Sequence, residues 1–480
     1  MKNKSNWLKA FYTLFSKNSF TFTGSLFSTV SAVCIIWFIL AGLIGYEFTP
    51  YSGIMIFLVL PTIFVLGIII ILIGIYYDHK KMKKAAELKE IPPYPNIDLN
   101  DPHTRKMFSI TIIIVLATFI VLSVVFYRSV SFMESVTFCG KICHTVMEPE
   151  YVSYTNSPHA RVECVKCHIG PGAPWFVKSK ISGIRQVFAV IAHSYHKPIP
   201  TPVENLRPSR DTCEQCHWPE RFSGDRLKIY TKYDPDEKNT ARVTVLDVHI
   251  GGGQFGKGIH SWHIDKTKKT TYIASDRERQ KIEWVKVEDG KGNTTIYKSP
   301  AGQQFNESDI EKAEKRVMDC IDCHNRPTHI YQFPDEAIDK SLASGLIDSN
   351  LPYIKKISTE TLEKAKGSKE DSLKYIKDEI SNYYEKNYAD IFTNNKQTLE
   401  KAINEVENIY KRNIFPEMDV TWGTYPNNIG HMRFTGCFRC HDDNHISDNG
   451  KAISSNCDTC HQILAMDEEN PEILKVLGKK

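Results

Sequence analysis

The sequence predicts a membrane protein: three N-terminal transmembrane helices, followed by a mainly α and irregular domain with a small β insertion. Two observations carry this expectation. Three apolar runs near the amino end each reach the roughly 20 residues a helix needs to span a bilayer. Beyond the last of them, close-set cysteine pairs recur along the rest of the chain.

The apolar runs are Ser25–Tyr46, Gly53–Tyr77 and Met107–Tyr127, and none contains Lys, Arg, Asp or Glu. A cleaved signal peptide or a buried core helix does not account for three such runs in succession. Pro61 falls inside the second, where neighbouring helices can absorb the freed carbonyl. Basic flanks stay cytoplasmic, and they occur at Lys2, Lys4, Lys9 and Lys17 and in the loop "DHKKMKKAAELK" after the second run. The amino end is therefore expected in the cytoplasm, and everything after Tyr127 on the outer face. Lys+Arg 60 against Asp+Glu 56 leaves a net charge of +4, too weak to imply a nucleic-acid partner.

Twelve of the thirteen cysteines stand in motifs beyond the third run, while Cys34 lies inside the first as an apolar packing residue. Five motifs have the form C-x-x-C-H: Cys164/Cys167/His168, Cys213/Cys216/His217, Cys320/Cys323/His324, Cys437/Cys440/His441 and Cys457/Cys460/His461. This is the attachment pattern of haem c. Two thiols add to the vinyl groups of one porphyrin edge, and the next imidazole is thereby held under the iron. Disulfides or zinc knuckles do not require a His after the second Cys. With 17 His in 480 residues, five such neighbours arise by chance with a probability on the order of 10⁻⁷.

A sixth motif, "FCGKICH", has three residues between Cys139 and Cys143 but keeps His144 in place. Gly140 is expected to let the backbone bulge there, so six covalently bound haems c are counted. A low-spin haem needs a second axial ligand, most often His. His159, His329, His431 and His445, with His260 or His263, are the expected distal ligands; Met147 competes with a packing role for the first iron. His193, His196 and His249 complete the histidines on the outer side.

The chain divides on this basis into a membrane domain (1–127), a three-haem segment (128–224), a β-rich insertion with the fourth haem (225–334), a helical segment (335–414) and a two-haem tail (415–480). The insertion is read from "LKIYTKY", "ARVTVLDVHI", "TTYIAS", "KIEWVKV" and "TTIYKS". The helical segment, opened by Ser358 or Thr359 as cap, reads as solvated scaffold helices with faces of alternating charge.

An apolar helix, then at once a haem motif followed by Met, then "SPHARVECVKCHIGPG" and "RDTCEQCHWPE", resembles the NapC/NirT family of membrane-anchored multihaem cytochromes c. The resemblance runs from Tyr127 to about Glu220. The later segments "CHNRPTH", "YPNNIGH" and "GCFRCHDDNH" look more loosely like larger members from metal-respiring and related anaerobic bacteria. The family oxidises membrane quinol and passes electrons to periplasmic partners, which implies that the first haem lies at the membrane surface beside a quinol pocket. Lys178 and Lys180 match in type and approximate place a Lys implicated in that pocket. No Asp or Glu occurs from Ile169 to Val203 to match its acidic partner, so Glu148, His193 or His196 would take the proton. Three spans instead of one are a second departure.

The expected function is quinol-dehydrogenase-type electron transfer from quinol, taken as menaquinol, through six haems to a periplasmic cytochrome or reductase. The expected location is the bacterial inner membrane, with the haem domain periplasmic. Partners are the quinone pool, the lipid bilayer and, as a further class, other membrane subunits or copies of the chain. Two other readings compete: a terminal reductase of a small oxyanion, disfavoured by the lack of a C-x-x-C-K motif, and a relay subunit that docks a separate catalytic partner.

Overall fold

The computed structural model describes residues 19–43, 59–86, 99–142, 144–169, 173–203, 206–218, 224–251 and 258–478. Two compact units result, Met1–Ile142 and Cys143–Lys480.

The first unit contains α1 (Ser19–Leu43), α2 (Leu60–Ala86), α3 (Pro102–Met133) and α4 (Val136–Lys141). Ser19–Phe38 and Leu60–Asp78 are long and apolar enough to cross a membrane. The ends of the first two expected spans, residues 44–46 and 53–58, lie outside the described residues. The third expected span is helical throughout, within α3.

With no hydrophobic force between helices inside lipid, close approach depends on small residues. α1 and α2 meet in this way. A Cβ on Gly24 would sit 2.6 Å from the Gly67 carbonyl oxygen, and one on Gly67 would collide with Ser28. Ser28 Oγ donates to the Phe64 carbonyl across the contact, at 3.3 Å. Gly67→Leu is therefore expected to overpack this seam and cost about 1–3 kcal/mol. The thermal unfolding of the detergent-solubilised protein would report it, with haem content unchanged.

The second unit is organised by short helices carrying the Cys motifs, by two antiparallel sheets and by a helical core. α5 (His144–Thr155), α6 (Cys164–His168), α7 (Ala173–Ile191) and α8 (Ser209–Cys213) come first. The five expected β runs form β1 (Arg226–Tyr233), β2 (Ala241–Val248), β3 (Lys269–Ala274), β4 (Ile282–Glu288) and β5 (Thr294–Lys298). They do not close on themselves. The C-terminal β8 (His461–Glu468) completes a three-stranded sheet in the order β1-β2-β8. The second sheet runs β6-β3-β4-β5-β7, with β6 at Arg316–Val317 and β7 at Ile446–Ser447.

α9 (His260–His263) joins the two groups of strands, and α10 (Cys320–Cys323) follows β6. The helical segment forms α11 (Pro334–Ala343), α12 (Ile354–Lys364), α13 (Lys369–Asn387) and α14 (Lys396–Asn413). These helices are not solvated scaffold. Ile338, Ile354, Leu362, Ile376, Ile380, Tyr384, Val406 and Ile409 are fully buried and build the largest apolar cluster among the described residues. Ile376, Ile380 and Tyr384 recur at four-residue spacing, the period that turns one helix face inward.

Ser358 is no cap, since α12 begins at Ile354 and buries Ser358 within it. Ser368 caps α13 instead, accepting from the Asp371 amide at 3.1 Å.

Candidate haem sites

Each regular motif winds into a single helical turn or a 3-10 turn, which sets its two sulfurs apart and projects the following His. α6 and α10 are such turns, and Cys437 and Cys457 stand in 3-10 turns. Among the described residues no motif cysteine is in a disulfide.

The motif histidines do not stand alone. The ring of His217 lies 6.0 Å from that of His159, centroid to centroid. His168 faces His329 at 6.2 Å, His324 faces His260 at 6.4 Å, His441 faces His263 at 6.0 Å and His461 faces His431 at 6.2 Å. A metal–imidazole bond is about 2 Å, and a ring centroid stands about 1 Å behind its nitrogen, so two imidazoles on one metal have centroids about 6 Å apart. The paired rings therefore fit a six-coordinate haem iron between them.

Their tautomers fit as well. Nδ1 of His159 donates to the Pro327 carbonyl at 3.0 Å, His263 to Ile259 at 2.7 Å, His329 to Glu150 at 3.0 Å and His441 to Ser454 at 3.0 Å. An Nδ1–H held by a carbonyl leaves Nε2 as the metal-binding nitrogen and fixes the ring's rotation. Burial pulls His260 and His329 down to about 4, so both rings are neutral at pH 7, as ligands must be.

Both His260 and His263 have a motif partner, where only one of the two was expected. They stand one turn apart on α9 and face the histidines of different motifs. His445 differs from the expectation. Its Nδ1 lies 2.9 Å from Asp442 Oδ1 and its Nε2 2.9 Å from the Ile282 carbonyl, so neither nitrogen is left for a metal and the ring braces the fold. His249 sits 3.1 Å from Asp225, and His193 and His196 are exposed.

The motifs also follow one another in space. α6 packs on α8 and α8 on α10. Cys167 lies within electrostatic reach of Cys216 and Cys213 within reach of Cys320. Cys323 neighbours Cys437 and Cys440, and Cys460 neighbours Cys437. The five regular motifs thus form a file in sequence order.

Residues inside the motifs fix this order. Asp322, buried in the fourth motif, accepts from the Tyr272 hydroxyl at 2.6 Å and from Arg316 Nε at 2.7 Å. Arg439, inside the fifth motif, donates to the Asp322 carbonyl at 2.6 Å and to the Arg279 carbonyl at 2.9 Å. Gly436, at φ 49° just before Cys437, lies so close to the Gly430 carbonyl that a Cβ would collide with it. Its absence lets Cys437 close onto the loop that carries His431. Asp322→Ala would remove the buried acceptor of Tyr272 and of Arg316 Nε, leaving Arg316 only Asp319 at 3.0 Å, and is expected to cost about 1–3 kcal/mol. Chemical denaturation of the haem-loaded protein measures that loss.

The first motif is only partly described. Cys143 lies outside the described residues and the His144 side chain is not described. Gly140 is buried within α4 and does not adopt the bulged backbone expected of it. His144 and Met147 stand one turn apart on α5.

Lys178 is exposed, with Nζ 5.2 Å above the Trp175 ring, and Lys180 is half-buried. Glu148 pairs instead with Lys369 at 2.7 Å, on an open pocket of about 390 Å³ that Val152, Lys411 and Arg412 also line. Glu150 was not singled out from sequence. Its largely buried carboxyl lies 3.1 Å from His329 Nδ1, and burial pushes its pKa up.

Cysteine pairs each followed by an imidazole, with a second imidazole across the space of one iron, define a multihaem c-type cytochrome. Residues 102–201 match the NapC/NirT cytochrome c family, N-terminal region. Over 456 residues the chain is 44% identical to the cytochrome c-type protein ImcH of Geobacter sulfurreducens, covering 94% of this chain and 89% of the relative. The chain belongs to the NapC/NirT family of membrane-anchored multihaem cytochromes c. No solved structure matches it.

Proposed function

We propose that this chain is a hexahaem membrane cytochrome that oxidises quinol, taken as menaquinol, and relays electrons through its haems to a periplasmic acceptor. The observation that carries the proposal is the file of five histidine pairs, each 6.0–6.4 Å apart. Haem, when bound, supplies one-electron exchange without a large change of geometry. The protein's task is to hold both axial rings, exclude water from them and keep successive motifs close.

Quinol is lipid-soluble and carries two electrons and two protons, so its oxidation needs a site at the bilayer surface and groups that take up protons. The three spans, with the amino end in the cytoplasm and the haem domain in the periplasm of the inner membrane, bring the Cys139/Cys143 motif to that surface. Cys139 and Cys143 would hold the first haem, with His144 and Met147, one turn apart on α5, as the candidate ligands to its iron. Lys178 is assigned as donor to a quinol oxygen, with Lys180, Glu148, His193 and His196 as candidates for proton uptake.

A terminal reductase would need an iron with an open position. Paired imidazoles at five motifs favour relay over such chemistry. The mass of the intact chain is the first test: six added haems are expected, and five would remove the first motif from the scheme. Lys178→Met is expected to slow reduction by a menaquinol analogue with haem content unchanged, and unaltered kinetics would remove Lys178 from the quinol site.

A further inference from the structure

α7 carries an apolar stripe that no described part of the second unit covers. Ile181, Ile184, Val187, Phe188 and Ile191 follow a spacing of three and four residues, which places them on one face. They are 52–70% exposed. Ser182 and Gln186 lie on the opposite face, Arg185 and Lys178 flank the stripe, and Lys180 stands at its amino-terminal end. At the C-terminal end Val190 packs into the cluster around Phe415 and Tyr425, so the helix is pinned at one end while its stripe stays open. A Cβ on Gly183 would meet nothing among the described residues within 4 Å.

Five large apolar side chains in solvent on one helix are unusual for a soluble surface. Charge decides what covers them. α7 contains Lys178, Lys180 and Arg185 and no acidic residue, and the absence of Asp and Glu extends from Ile169 to Val203. A narrow apolar stripe beside a purely basic polar face is the composition of a helix lying in a lipid interface, attracted by anionic headgroups. The family's membrane anchor keeps a bilayer always within the protein's reach.

We propose that α7 lies in the plane of the bilayer surface, with Ile184, Phe188 and Ile191 among the acyl chains and Arg185 at anionic phospholipid headgroups. The occupant of the stripe is thus lipid, and α7 is a second membrane contact besides the spans. This does not depend on quinol being the electron donor.

The test uses the full chain in nanodiscs of phosphatidylcholine with phosphatidylglycerol, in a Cys34→Ser background. Nitroxide labels are placed through Ser182→Cys, Ile184→Cys, Gln186→Cys and Phe188→Cys in turn. Labels at 184 and 188 are expected to collide several-fold more with oxygen than with a water-soluble nickel chelate, and labels at 182 and 186 the reverse. Replacing phosphatidylglycerol by phosphatidylcholine should reduce the contrast. Equal water exposure at all four sites would overturn the proposal. So would protection of 184 and 188 from both reagents, which would indicate a protein cover, either a second copy or the chain's own apolar helices. Haem staining of each variant checks that it has folded, and Phe188→Leu is the conservative control.

Discussion

Replacing the distal imidazole in His329→Met is expected to raise the potential of the iron bound through Cys164/Cys167 by on the order of 0.1 V, within the ~0.8 V that axial ligands command. A thioether stabilises ferrous iron more than an imidazole does. At 59 mV per tenfold for one electron, that shift changes the electron's equilibrium occupancy about 50-fold and makes this iron a trap within the file. Redox titration would show one of six transitions moved upward, and six unmoved transitions would rule His329 out as a ligand. His445→Gln is the matched control. It removes hydrogen bonds to Asp442 and Ile282 and is expected to cost about 1–3 kcal/mol of stability, with all six potentials in place.

Replacing both cysteines, Cys139→Ala with Cys143→Ala, carries the other large effect. Both thioethers are lost, the intact mass should fall by one haem, and reduction by a menaquinol analogue should drop to background. Dithionite should still reduce the remaining five haems, because their imidazole pairs are built from residues 159 onward. If quinol reduced the variant at the parent rate, electrons would be entering elsewhere, and the first motif would lose its assigned place.

The comparison between sequence and structure turns on what kind of information each element needs. The C-x-x-C-H motifs were legible because porphyrin chemistry confines them to five consecutive residues. The distal histidines could be short-listed but not matched. His329 follows the fourth motif closely yet faces His168 of the second, and His159 precedes the second motif yet faces His217 of the third. Proximity in sequence does not identify the partner motif.

His445 looked like a ligand from its position four residues after His441. Only the surrounding strands show that both of its nitrogens are already engaged. The helices α12 to α14 were visible in outline, but their alternating charges drew attention from the four-residue spacing of Ile376, Ile380 and Tyr384. That spacing was the better guide to burial. Glu150 and Asp322 carry no local signature, since what distinguishes them is burial against partners distant in the chain.

The two sheets have a consequence for the order of assembly. β1 to β5 are complete as a sequence by residue 298, but their flanking strands β7 and β8 come from residues 446–468. In a chain delivered amino end first, the early strands must wait with exposed edges until the last two motifs arrive, and exposed edges invite wrong pairing. β8 begins at His461 itself, so the residue after the final cysteine pair is also the first stitch of the closing strand. Seating of the last haem and sealing of the first sheet are thus a single late event, and a mature fold certifies that the final cysteine pair was reached.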